Sequence, residues 1–146
     1  MAKDLLYGTK LRWTEKKMAI VSFEKGEKPN INIGIAPEFM GHKDMITPED
    51  LFVSSVNSCM MSYFINVAER MRVKLESYES SAYGILSEKG IDFIFSRIDI
   101  NVDVKVKDEK SAKRAHRAID MAKKGCFVAN SIKSEVNVEY NISILE

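Results

Sequence analysis

The first third of the chain alternates between apolar and polar positions, a pattern typical of β-strands. Apolar side chains recur at every second position over residues 5–13, apart from an additional leucine at position 6, and again over residues 31–35. A turn near residues 14–17 leads into the apolar run 18–23. Glycine and proline interrupt the pattern at 36–46, which predicts a loop. The N-terminal region is therefore predicted to form three strands and a loop.

A long helix is predicted to start directly after this loop. Thr47 is suited to cap it, Pro48 fits its first turn, and Glu49 and Asp50 meet the positive end of the helix dipole. Apolar residues then occupy most sides of the helix as far as Met71, which predicts a central helix covered by more than one partner. One ridge instead carries small residues at four-residue spacing: Ser54, Ser58 and Ser62. Such a ridge permits close approach of another backbone, including the same helix of a second chain.

The second half of the chain returns to strands. Five elements are predicted in order: a strand at 74–86, a strand at 98–106, a helix at 111–124, one or two helical turns within 126–132, and a closing strand at 136–144. The strict alternation over 98–106 is typical of an antiparallel strand with one solvated face. Strands and helices without regular βαβ alternation predict an α+β fold.

The size and composition indicate one globular domain over residues 1–146. Hydrophobic residues make up 45% of the chain and charged residues 29%, and the net charge is +1. Nothing in this balance favours nucleic acid or an anionic membrane as a partner. Eight basic residues stand against three acidic ones between Lys105 and Lys124, but they fall on the outer faces of a strand and a helix. We interpret them as a solvated surface.

The sequence also predicts a location. The N-terminal segment carries Asp4 and no long apolar run, so it does not resemble a secretory signal. The longest uncharged stretch, residues 51–68, holds four serines and two asparagines, which is too polar for a membrane span and suits a buried helix. We therefore expect a cytoplasmic protein without a membrane-spanning segment.

Two cysteines are the candidate chemistry, and they lie 67 residues apart, at Cys59 and Cys126. Together with His42 and His116 they show no zinc-finger spacing, so we expect neither a metal nor a cofactor. In a reducing compartment two isolated cysteines are commonly inert core residues. On local grounds Cys126 is the more activated, because it follows the helix stop at Gly125, where unpaired amide N–H groups favour a thiolate, whereas Cys59 lies in an apolar helix.

Three segments together resemble one known family. They are Thr47-Pro48-Glu49-Asp50-Leu51, Cys59 inside an apolar helix, and Gly125-Cys126-Phe127-Val128 after a lysine-ended helix. The chain is similar to the OsmC/Ohr family, the osmotically inducible protein C and organic hydroperoxide resistance proteins, from Trp13 to the last strand. The resemblance implies curved antiparallel sheets around a long central helix, in an intertwined homodimer with two sites at the dimer interface.

The resemblance also implies thiol peroxidase chemistry on organic hydroperoxides. The matching positions are Cys59 as the attacking thiol, Cys126 as the resolving thiol and Glu49 as the acidic residue of the site. The sulfenic acid formed on the first cysteine condenses with the second into a disulfide, which an external dithiol reduces. Glu49 and Cys59 lie about 15 Å apart on a straight helix. A shared site therefore requires a bend, another segment or another chain.

The chain departs from the family pattern in the positively charged residue of the site. Family members hold the thiolate with an arginine in the first hairpin or just ahead of the Pro-Glu motif. Here the second of these places reads Ala36-Pro37-Glu38-Phe39, and the hairpin offers Lys16 and Lys17, with Arg12 further back. Phe127 stands where a proline commonly follows the second cysteine.

These departures keep a second function open. In this alternative the same fold forms a dimeric binding protein, which holds an apolar or thioester-like ligand between chains without turnover. The missing arginine favours the binding protein, whereas the presence of Cys59, Cys126 and Glu49 together favours the peroxidase.

Overall fold

The computed structural model describes residues 3–145, and within that range the chain is a mixed α+β protein, as predicted. The strands are β1 (Thr9–Glu15), β2 (Met18–Phe23), β3 (Ile31–Gly34), β4 (Leu75–Lys89), β5 (Asp92–Val106) and β6 (Glu135–Ile144). The helices are α1 (Pro48–Arg70) and α2 (Glu109–Gly125), with single 3₁₀ turns at Pro37–Phe39 and Ala129–Ser131. The chain divides into two compact units, the first ending at Phe52 and the second beginning at Val53.

The first unit contains an antiparallel sheet of three strands in the order β1-β2-β3. Strand β2 has the predicted bounds, whereas β1 begins at Thr9 rather than at residue 5. The ladder between them closes where Thr9 faces Phe23 and the Glu24 amide donates to the Gly8 carbonyl at 3.0 Å. Residues 3–7 have no strand opposite them in the described part of the chain, so the alternating pattern from residue 5 does not form a strand there.

The outer strand of this sheet exposes large apolar side chains. Leu11 is 66% exposed and Trp13 is 70% exposed.

The predicted loop after β3 is present and tightly folded, since the Gly41 amide donates to the Ala36 carbonyl at 3.0 Å. A Cβ atom at Gly41 would collide with the Ile35 carbonyl, so only glycine fits there.

Helix α1 begins at Pro48, as its start signal predicted. The Asp50 amide donates to Thr47 Oγ1 at 3.1 Å, and the Thr47 amide donates to Asp50 Oδ2 at 2.9 Å. This reciprocal cap satisfies amide groups that a helix end otherwise leaves unpaired. One stripe of the helix is buried in the domain: Val56, Met60, Phe64, Val67 and Ala68.

The opposite side of α1 is the serine ridge of Ser54, Ser58 and Ser62, which is exposed. The Ser58 hydroxyl donates to the Ser54 carbonyl at 2.6 Å, and the Ser62 hydroxyl donates to the Ser58 carbonyl at 2.9 Å. These hydroxyls are therefore satisfied within the helix. Because this side is uncovered in the single chain, the small-residue ridge remains available for another backbone.

By length and mean hydropathy alone, α1 would also qualify as a membrane span, since 23 residues include an 18-residue window of mean hydropathy 1.3. Its buried stripe, however, lies inside the second unit, where Phe64 packs on Tyr78 of β4 and where Val56 and Met60 line a cavity together with residues of β5 and β6. We therefore interpret α1 as a helix of the domain, as its serines and asparagines predicted.

The second unit contains a sheet in the order β4-β5-β6. Strands β4 and β5 form a long antiparallel hairpin, which turns at Gly90 with φ +64°. Strand β6 runs parallel to β5, from Ile98 opposite Val136 to Val106 opposite Ile144. The sheets are therefore antiparallel, as expected, except at this one pair of strands. Helix α2 crosses over between the two strands and brings the chain back in the same direction.

Helix α2 packs against β5 and β6. Its buried residues include Ala115, Ala118, Ile119 and Ala122, and the β5 residues facing the core are Ile98, Ile100, Val102, Val104 and Val106. Asp108 caps this helix by accepting a hydrogen bond from the Ser111 amide at 2.7 Å. This cap stabilises the N-terminal end of α2, and Cys126 directly follows the C-terminal end.

Candidate active site

Cys59 lies in the middle of α1 at the edge of a pocket in the second unit. Its side chain is half-buried, and the pocket has a volume of about 310 Å³. The remaining lining residues are Ser62, Tyr63, Asn66, Arg70 and Phe127. A cavity of this size is at the lower end of the range for small-molecule sites. The thiol is therefore accessible to a small ligand.

The pocket owes its shape to one face of α1 and to the segment after α2. The four helical lining residues follow Cys59 by three, four, seven and eleven positions, which places all of them on one side of the helix. Tyr63 meets Phe127 edge-to-face, with ring centroids 6.0 Å apart. Gly125 lets the Tyr63 ring lie against the backbone, since a Cβ atom there would overlap the ring.

Cys126 is placed behind Cys59, in the core. It is 1% exposed, and its amide donates to the Ala122 carbonyl at 3.0 Å. Its thiol is close enough to the Cys59 thiol for the two groups to influence each other electrostatically, and both cysteines are free. The structure thus brings together two thiols that lie 67 residues apart in the sequence.

Burial raises the pKa of Cys126, and the neighbouring Cys59 sulfur raises it further. The backbone N–H groups of Ala129 and Val128 act in the opposite direction, but they do not outweigh burial. The local argument that made Cys126 the more activated thiol is therefore wrong, because it counted the amide donors and could not count the burial. The raised pKa favours the protonated form of the Cys126 thiol.

A second, smaller cavity shows which residues surround the Cys126 side chain. It has a volume of about 90 Å³ and touches Cys126. The other lining residues are Val56, Met60, Ile100, Lys123, Ala129, Val136 and Val138. All except Lys123 are apolar, so little in this lining solvates a thiolate.

Tyr78 on β4 is a further buried polar group near the cysteines. Its ring packs on Phe64 with centroids 5.3 Å apart. Desolvation raises the pKa of Tyr78 to about 12, and the nearby Cys126 adds to the effect. The Ser80 hydroxyl is near enough to favour the ionised form slightly, but no hydrogen bond of good geometry reaches the Tyr78 oxygen from the described residues. Tyr78 is therefore a buried hydroxyl near Cys126 that has no hydrogen-bond partner among residues 3–145.

The other predicted site residues lie in the first unit. Glu49 is half-buried in the first turn of α1. Lys17 donates through Nζ to the Met40 carbonyl at 2.7 Å. Lys16 occupies the hairpin turn with φ +49°, and Arg12 is exposed on β1. Their participation in a site with the two cysteines stays a prediction.

Arg70 is the pocket residue that the sequence motifs did not indicate. It lies in the last turn of α1, where a basic residue is expected to complement the helix dipole. The sequence nevertheless indicates that Arg70 and Cys59 share one side of the helix, because eleven residues are close to three full helical turns. Tyr63 and Tyr78 were likewise overlooked, since an aromatic residue at helical or strand spacing usually indicates core packing.

The fold and the two neighbouring thiols define an α+β protein with a paired-cysteine site beside an open pocket. The family model for OsmC-like proteins matches residues 41–141, which include both cysteines and all of α1 and α2. The chain belongs to this OsmC family, and the resemblance noted from the sequence is confirmed.

Individual relatives agree with this assignment. An organic hydroperoxide resistance protein-like protein of Staphylococcus aureus (strain USA300) is 20% identical over 116 residues, covering 80% of this chain and 82% of the relative. An OsmC-like protein of unknown function from Vibrio cholerae superposes with a TM-score of 0.83 at 21% identity, covering 94% of this chain and 100% of that one. An organic hydroperoxide resistance protein from Elizabethkingia anophelis superposes with a TM-score of 0.74 at 16% identity, covering 99% and 100%. The structural likeness shows the fold, and the family includes proteins named for organic hydroperoxide resistance.

Proposed function

We propose that the protein is a thiol-dependent peroxidase that reduces organic hydroperoxides. The observation that carries the proposal is the proximity of the Cys59 and Cys126 thiols beside a pocket that is lined by Cys59 and not by Cys126. A two-cysteine peroxidase requires such an asymmetric pair, because the attacking sulfur must meet the substrate and the resolving sulfur must meet only its partner.

The proposed cycle begins with the Cys59 thiolate. It attacks the terminal oxygen of the hydroperoxide, the O–O bond breaks, and the organic part leaves as an alcohol after taking up a proton. Cys59 becomes a sulfenic acid. The Cys126 sulfur then attacks the sulfenic sulfur, water leaves, and a disulfide forms. An external dithiol reduces this disulfide through a mixed disulfide and is itself oxidised, which restores both thiols.

The difference in burial supports the assignment of the two roles. Cys59 lines the pocket, whereas Cys126 is buried and its pKa is raised. A protonated, buried thiol is a poor nucleophile towards a substrate in solvent. It is nevertheless well placed to resolve a sulfenic acid on the neighbouring Cys59 sulfur.

Glu49 is proposed as the acidic residue of the site, and one of Lys17, Lys16 and Arg12 as the cation. A positive charge near a thiol favours its ionised form. A lysine supplies this charge without the planar, bidentate geometry of an arginine.

The same proposal places the site in a homodimer in the cytoplasm, with residues 1–146 acting as one domain. Two exposed features support a dimer: the apolar side chains on β1, including Leu11 and Trp13, and the serine ridge of α1. Exposed apolar surface of this kind is typical of protein interfaces. The family match over residues 41–141 crosses from the first unit into the second, which supports one functional domain.

Intact-protein mass spectrometry after one equivalent of cumene hydroperoxide tests the proposal. The wild-type protein is expected to lose two hydrogens as the Cys59–Cys126 disulfide forms. Cys126→Ser is expected to consume one equivalent and gain one oxygen on Cys59, which further peroxide drives to the sulfinic acid. Cys59→Ser is expected to consume essentially none. Turnover is then measured as peroxide loss with dihydrolipoamide as the dithiol.

Each contrary result has a distinct meaning. Two unmodified thiols in the wild-type protein contradict the peroxidase and leave the dimeric binding protein. A sulfenic acid on Cys126 in the Cys59→Ser protein reverses the two roles.

A further inference from the structure

Arg70 is a positively charged pocket residue that the proposed cycle does not use. It lines the same pocket as Cys59, and its side chain is exposed. Within residues 3–145, no carboxylate forms an ion pair with it. An arginine at a helix C-terminus can serve only to complement the helix dipole. An arginine that has no ion-pair partner and lines a ligand pocket can in addition bind an anion.

The helix fixes the distance between Arg70 and the reactive thiol. Residues 48–70 are continuously α-helical, so eleven residues place the two Cα atoms about 16 Å apart along the axis and on nearly the same side. This distance exceeds the length of an arginine side chain. Arg70 is therefore excluded as the hydrogen-bonding cation of the Cys59 thiolate on its own chain, and it marks the other end of the pocket.

The surface between the two ends is suited to a carbon chain. The rings of Tyr63 and Phe127 meet beside Cys59, and both line the pocket. Asn66 lies between the aromatic pair and Arg70 on the same face, seven residues after Cys59. The pocket thus runs from a thiol, past an aromatic wall, to a guanidinium group.

We infer that Arg70 is a specificity residue, which binds the carboxylate of an anionic organic hydroperoxide while its peroxide group reaches Cys59. This role rests on the proposed function. The guanidinium presents paired N–H donors that match a carboxylate, and the attraction selects acids over neutral hydroperoxides of the same length. Because Arg70 is exposed, salt screens the attraction, and the preference is moderate.

The test compares linoleic acid hydroperoxide with its methyl ester, which has the same carbon chain without the charge. Both are assayed at low ionic strength in the same neutral detergent, and the ratio of the two kcat/KM values is measured. The wild-type ratio is expected to exceed one and to fall as salt is added. Arg70→Gln is expected to lower the ratio about five- to tenfold, chiefly through KM for the acid, and Arg70→Lys to restore part of it.

Arg72→Gln is the matched control, since it removes the same charge two residues further on, outside the residues that line the pocket. It is expected to keep the wild-type ratio. If Arg70 only complements the helix dipole, Arg70→Gln changes the rates with acid and ester equally. Such an equal change, or a wild-type ratio that does not respond to salt, overturns the role of Arg70.

A binding measurement separates this role from the peroxidase itself. Calorimetry compares the corresponding hydroxy acid and its methyl ester, which cannot oxidise a thiol. Failure of the wild-type protein to consume either hydroperoxide contradicts the proposed function. Acid-selective binding that Arg70→Gln abolishes supports the role of Arg70 even then, whereas equal binding of acid and ester refutes it.

Discussion

Replacing Tyr78 with phenylalanine is expected to remove one specific component of the alkaline instability of this protein. The hydroxyl is buried without a hydrogen bond from the described residues, and its pKa is raised from 10.0 to about 12. The folded protein therefore keeps this proton over a pH range in which the unfolded chain loses it. The resulting stabilisation is complete below pH 10 and is lost progressively as the pH rises to 12.

The magnitude follows from the size of the pKa change. A rise from 10.0 to about 12 corresponds to about 2.7 kcal/mol at full loss. Because the ring is only partly buried, solvent screening reduces this figure to about 2 kcal/mol. Between pH 9 and pH 11, roughly half of this contribution is lost, which is about 1 kcal/mol.

Urea denaturation at pH 9 and pH 11 measures the effect. The free energy of unfolding of the wild-type protein is expected to fall by about 1 kcal/mol more than that of Tyr78→Phe over this interval. At pH 9, Tyr78→Phe is expected to be at least as stable as the wild type, because it removes a buried polar group that has no partner. Tyr83→Phe on the same strand is the control, since Tyr83 is 61% exposed. Parallel pH dependences of wild type and Tyr78→Phe would refute the reasoning.

Two further predictions concern the thiols and the assembly. At pH 7.5, iodoacetamide is expected to label Cys59 at least about tenfold faster than Cys126, because Cys126 is buried and its pKa is raised; equal labelling in the folded protein, read by peptide mass spectrometry, would contradict the placement of the two thiols. Light scattering at micromolar concentration is expected to show a dimer. Trp13→Ser is expected to weaken this dimer, because Trp13 is 70% exposed on β1. A folded wild-type monomer at that concentration would contradict the proposed dimer.

Much of the fold follows from local patterns. Strand β2 has the bounds that its apolar run predicted, and the buried face of α2 matches its helical spacing. Helix α1 begins at Pro48 because Thr47 and Asp50 cap each other, an interaction within four residues. Such features depend on neighbours in the sequence, so the sequence suffices to predict them.

Features that depend on distant partners were predicted less well. The alternation over residues 5–13 predicted a strand from residue 5, but β1 begins at Thr9, where β2 provides a partner. The parallel pairing of β6 with β5 depends on how α2 returns the chain, which no local pattern records.

The sequence by itself determined the element order, the helix ends and, through a family resemblance, which two cysteines to consider. Only the tertiary structure decided how far each of those cysteines is buried and which of them lines a pocket. It places Cys126 in the core, where burial outweighs the amide donors that local reasoning had counted, and it opens a pocket at Cys59 that ends at Arg70. Burial and pocket shape arise from segments far apart in the chain, and the pKa of a thiol depends on all of them at once.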